Sequence, residues 1–104
     1  MPKVKHVVLM RLKKDTPPAT VRKLFADLDG LRRKVPGLLD FSGGAFSSSE
    51  GLGKGFTHGF VMTFADSASR DAYLPHPDHE AVKNALIAQL DGGLDAVVVF
   101  DWEE

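Results

Sequence analysis

The chain has 104 residues, 43% of them hydrophobic and 26% charged, so it reads as one domain, 1–104, with apolar material for a single core. Thirteen basic against fourteen acidic residues leave a formal charge of −1, which offers no global field to nucleic acid or an anionic membrane surface. The absence of cysteine excludes disulfides, thiolate metal sites and a cysteine nucleophile, and the apolar run 7–10 is too short for a signal segment or a bilayer span, so a cytoplasmic protein is expected.

The first element alternates. Val4, His6, Val8, Met10 and Leu12 fall on one face and Lys3, Lys5, Val7, Leu9 and Arg11 on the other, a period of two that predicts a strand. Asp15, Thr16, Pro17 and Pro18 announce a helix, with Thr16 as N-cap and Pro17 at the first helical position. Val21, Leu24, Phe25, Leu28 and Leu31 follow at helical spacing, and Pro36-Gly37 stops the element. Residues 38–46 predict a second strand, in which Gly43-Gly44 points to a bulge or a close backbone approach. The segment 47–55, SSSEGLGKG, is a loop.

Residues 56–64 predict a third strand with His58, Phe60, Met62 and Phe64 on one face. Asp66 caps a short helix that reaches Tyr73 and is interrupted by Pro75. Pro77 opens another, with Ala81, Val82, Ala85, Leu86 and Leu90 as its apolar positions and Gly92-Gly93 as its stop. Residues 96–102, AVVVFDW, form a strongly β-prone last strand. The order β-α-β-β-α-β is ferredoxin-like, an α+β fold.

Two helices can cover only one face of a four-stranded sheet. The other face also carries apolar groups, namely Val7, Leu9, Val61 and one set from the AVVVF run. Packing that face against a second copy would bury it symmetrically, so a homodimer is expected; the alternative is a few isolated exposed valines.

The stretch 73–79, YLPHPDH, holds the only tyrosine and two of the four histidines. His79 falls in the first turn of the helix opened by Pro77, where the positive end of the dipole disfavours imidazolium and leaves the neutral form a general base needs. Tyr73 precedes the break, so its hydroxyl can face His79 and donate to an enolate; equally, it can be an aromatic core residue with a satisfied hydroxyl. His76 is structural in this reading. His6 and His58 share one strand face and either line a cavity between sheet and helices or sit as hydrogen-bonded core residues. Metal binding is not expected: His76 and His79 are three apart, but no matching carboxylate pair accompanies them. GLGKG lacks the P-loop spacing and its hydroxyl residue.

KHVVLMRLK, GFTHGFVMTF, YLPHPDHEAV and VFDW occur in that order along nearly the whole chain and resemble the Dabb family of stress-responsive dimeric A/B-barrel domains. The resemblance implies a ferredoxin-like monomer that pairs sheet to sheet into a dimeric α/β barrel. It also implies chemistry, because a plant polyketide cyclase of that family performs an aldol cyclisation without a cofactor, using a tyrosine and a histidine of the same motif. Those positions here are Tyr73 and His79 as catalytic residues, with His6 and His58 matching its other pocket histidines as substrate-binding residues; Phe25 and Phe60 are expected beside them as apolar substrate-binding residues. The cyclase's aromatic-rich segment is replaced here by Val82, Ala85, Leu86 and Asp91-Gly92-Gly93, so the acyl pocket is not shared residue by residue. The expectation is a cofactor-free enzyme acting on a small hydrophobic carbonyl compound. A non-catalytic stress-responsive oligomer is the alternative, favoured if Phe25, Phe60 and Leu86 fill the cavity.

Overall fold

In the computed structural model, which describes residues 2–104, strand β1 (Val4–Met10) keeps the alternation of its sequence. Val4, His6, Val8 and Met10 are buried, whereas Lys5, Val7 and Leu9 turn to the opposite face. Helix α1 (Pro18–Gly30) follows, then a 3₁₀ turn at Leu31–Arg33, strand β2 (Leu38–Ala45) and strand β3 (His58–Phe64). The second helical region is two elements, α2 (Ser67–Tyr73) and α3 (Pro77–Ile87), before a 3₁₀ turn at Gly93–Ala96 and strand β4 (Val97–Glu103). The sheet order is β2-β3-β1-β4 with every neighbouring pair antiparallel, the ferredoxin-like arrangement.

Boundaries move by one or two residues. The N-cap of α1 is Pro17 rather than Thr16, and Pro18 takes the first helical position. A residue before proline is held out of the α region, so Pro17 is extended at ψ 142° and cannot begin the helix itself. Phe46, Phe56 and Thr57 lie outside the strands, and Ala96 belongs to the turn before β4. The irregularity in β2 falls between Leu38 and Asp40 rather than at the glycines. Gly43 instead serves close approach: a Cβ there would meet Phe60 Cβ at 2.6 Å and the Phe25 ring at 2.9 Å.

The core lies on the helix side of the sheet. Val4, Val8, Met10, Met62 and Phe64 meet Leu24, Leu28 and Leu31 from the first helical region and Tyr73 and Leu86 from the second. On the other side the register sets Val7 opposite both Val61 and Phe100, and Leu9 opposite Val98. Among the described residues no helix covers this side, and Leu9, Val98, Phe100 and Trp102 stay exposed on it. Among the described residues, no helix is long and apolar enough to cross a membrane.

Candidate active site

Two prolines place the central pair. Asp66 accepts from the Ser69 backbone N–H at 2.8 Å and starts α2, which ends on Tyr73 just before Leu74 and Pro75. Pro77 then occupies the first position of α3, and His76 caps it, its Nδ1 accepting from the Asp78 N–H at 3.1 Å. The resulting bend lays the Tyr73 and His79 rings against each other with centroids 4.0 Å apart and planes 36° apart. The bend brings the two residues ring to ring, and no hydrogen bond joins the phenol to the imidazole.

His79 Nδ1 lies 2.9 Å from the Leu74 carbonyl oxygen. A carbonyl only accepts, so Nδ1 carries the proton and Nε2 keeps its lone pair. Burial holds the imidazole below its ordinary titration range, aided by Lys83 and His6 and opposed by the Leu74 carbonyl and Glu80. The ring is a neutral base near pH 7. Burial pushes the Tyr73 phenol well above the ordinary tyrosine range, so it remains a hydrogen-bond donor.

His6 joins this pair from β1, its ring 6.0 Å from that of Tyr73 and 6.1 Å from that of Phe64. His6, Tyr73, His79 and Phe60 line one cavity of about 200 Å³ between sheet and helices. Its remaining wall is apolar apart from Lys83, with Leu28, Leu86 and Ile87 from the helices and Val97 and Val99 from β4. Four of the six residues expected at a site therefore meet.

His58 and Phe25 do not. His58 has the expected face but sits at the far end of β3, opposite Met10, while His6 pairs with Met62. Four residues of strand separate Met62 from His58, roughly 13 Å. His58 packs on Phe25 at 5.8 Å, contacts Thr57 Oγ1 at 2.9 Å, and opens onto a different cleft of about 510 Å³ shared with Phe46 and Leu52. His58 is corrected from a cavity wall to packing at the other end of β3, and Phe25 to packing over β2 beside Gly43, outside the cavity lining.

Two participants carried no mark in the sequence reading. Asp101, opposite His6 in the β1–β4 register, accepts from His6 Nδ1 through Oδ1 at 2.8 Å and from Arg70 through Oδ2 at 2.8 Å. Arg70 also donates to Asp71 at 2.7 Å. Alternation alone would have shown Asp101 on the helix side of β4, beside Val97 and Val99, where an unpaired carboxylate would be costly. Among the described residues no group of three or more His, Asp or Glu side chains is placed to hold a metal ion.

The strand order and the broken second helix define a ferredoxin-like α+β domain with a cavity between one sheet face and the helices. The chain belongs to the stress responsive A/B barrel domain family, Dabb, which matches residues 4–104. A stress-response A/B barrel domain-containing protein of Arabidopsis thaliana is 32% identical over 88 residues, 84% of this chain and 77% of that one. A dimeric ferredoxin-like protein of unknown function from Jannaschia sp. is 31% identical with a TM-score of 0.88, covering 98% of this chain and 99% of that one. A hydroxynitrile lyase from Passiflora edulis shares the fold at 20% identity, again with a TM-score of 0.88, over 99% of this chain and 94% of its own.

Proposed function

We propose that the protein is a homodimeric, cofactor-free enzyme that abstracts a proton next to the carbonyl of a small hydrophobic compound, with aldol-type cyclisation as the synthetic outcome. The observation that carries this reading is the state of His79: its Nδ1 is committed to the Leu74 carbonyl, its Nε2 is free, and burial keeps it neutral in a cavity with apolar walls. His79 Nε2 takes the proton, and the Tyr73 hydroxyl donates a hydrogen bond to the enolate oxygen that develops. His6, tied to Asp101, anchors the substrate at the inner end. The non-catalytic alternative drew on a cavity filled by Phe25, Phe60 and Leu86; Phe60 and Leu86 line this cavity and Phe25 does not.

Two likenesses support parts of the reading. The Jannaschia relative is described as dimeric, and the uncovered sheet face here presents Leu9, Val98, Phe100 and Trp102. The Passiflora protein is an enzyme on the same fold.

Proton abstraction is tested without knowing the substrate. Exchange of α-hydrogens of a panel of β-diketones in D₂O, followed by NMR, should exceed the buffer rate, and His79→Ala should lower it on the order of 10²–10⁴-fold. Tyr73→Phe should cost less, since the ring stays and one hydrogen bond is lost. A His79→Ala protein that exchanges as fast as the parent defeats the proposal.

A further inference from the structure

We infer that the ligand of the cavity beside His79 is an anionic carbonyl compound, a carboxylate with a short apolar body, and that Lys83 selects its charge. The inference rests on that cavity being the ligand site. Among the described residues that line it, Lys83 is the one lysine or arginine. It follows His79 by four positions in α3, so the two side chains stand one turn apart on the same helix face. A ligand whose carbon faces the imidazole therefore has an ammonium within reach of its neighbouring substituent.

The present partner of Lys83 does not hold it firmly. Its Nζ lies 2.8 Å from Glu80 Oε1, three positions away, and the two side chains are 39% and 41% exposed. Such solvated pairs contribute little and exchange readily. A ligand carboxylate at the rim of an apolar cavity would meet the same ammonium in a less screened setting, where attraction is stronger. Glu80 can return to water, so no buried charge is left unpaired. The other carboxylate near the cavity, Asp101, is already bound by His6 and Arg70, and His79 is neutral and brings no competing cation.

The rest of the wall fixes the body of the ligand. Leu94 and Val99, both exposed, line the cavity together with Leu74, and they suit an apolar chain. About 200 Å³ lies below the roughly 300–1,000 Å³ of sites for drug-sized molecules, which limits the chain to a few carbons.

The test compares hexanoate with methyl hexanoate, titrated into the full chain and followed by NMR at the His79 ring and the α3 amides. Hexanoate should bind on the order of tenfold more tightly, the worth of one charge-assisted hydrogen bond. Lys83→Met should bring the acid down to the level of the ester, while Lys83→Arg keeps the preference; melting curves for both variants check that α3 is intact. Equal binding of acid and ester at His79 in the parent, or a preference that survives Lys83→Met, overturns the role of Lys83 and leaves the site standing. If neither compound perturbs His79, the site reading and this inference fall together.

Discussion

Removing Asp101 should damage the site from its outer edge. In Asp101→Ala, His6 loses the acceptor held at 2.8 Å from its Nδ1 while its side chain stays only 7% exposed. Losing a hydrogen bond to a charged partner and leaving a buried donor behind costs about 1.5–3 kcal/mol. Arg70 suffers less, because it keeps Asp71 and is partly solvated; that share is about 0–1 kcal/mol. The sum is about 1.5–4 kcal/mol, or a Tm lower by roughly 6–16 °C at roughly 4 °C per kcal/mol for a domain near this size. Asp101→Asn keeps an oxygen for His6 and removes only the charge facing Arg70, so its cost should stay near 1 kcal/mol. Chemical denaturation of parent and both variants measures the difference. An alanine variant within about 0.5 kcal/mol of the parent, or an asparagine variant as damaged as the alanine one, would refute the argument that Asp101 satisfies His6.

The uncovered sheet face makes a second prediction: Val61→Asp, which sets a carboxylate among Val7, Leu9 and Phe100, should convert a dimer into single chains in analytical ultracentrifugation, and a parent already monomeric at micromolar concentration would contradict it. The third concerns pH. Because the folded His79 titrates below its ordinary 6.5, the base is retained down to that pH, so the acid limb of kcat/KM for α-hydrogen exchange should lie below 6.5. The same depression means that the stability contributed by neutral His79 is complete above 6.5 and is lost as pH falls further. A limb at or above 6.5 would show that His79 is not the group titrating. Tyr73, raised above its ordinary 10.0, should add no alkaline limb below that value.

Much of the fold was legible because period two and period 3.6 are properties of adjacent residues. Val4, His6, Val8 and Met10 are all buried as their alternation required, and Pro75 and Pro77 do separate two helices. What alternation reports is a face and not a position along it, which is why His58 was grouped with His6 although it lies at the opposite end of β3. Asp101 was missed for a related reason. Its importance depends on the β1–β4 register, which sets it opposite His6 across 95 positions of sequence. Thr16 was favoured as N-cap by residue type, and a proline-proline pair displaced the start by one. The ring-to-ring packing of Tyr73 and His79 depends on the angle between α2 and α3, which no local pattern encodes.

The interruption between those helices also settles which nitrogen of His79 is basic. In an unbroken helix the Leu74 carbonyl would accept from the backbone N–H of residue 78, four positions on. Here the Asp78 N–H is taken by the His76 imidazole and Pro77 has no N–H to offer, so the Leu74 carbonyl is left over and receives the His79 Nδ1 proton instead. A defect in helical bonding thus becomes the element that fixes a tautomer. Improving the helix by ordinary propensity, for instance with alanine at 75, 76 and 77, would return the carbonyl to the backbone ladder and free the imidazole to protonate at either nitrogen. In this heptapeptide, helix regularity and a fixed His79 tautomer are therefore opposed.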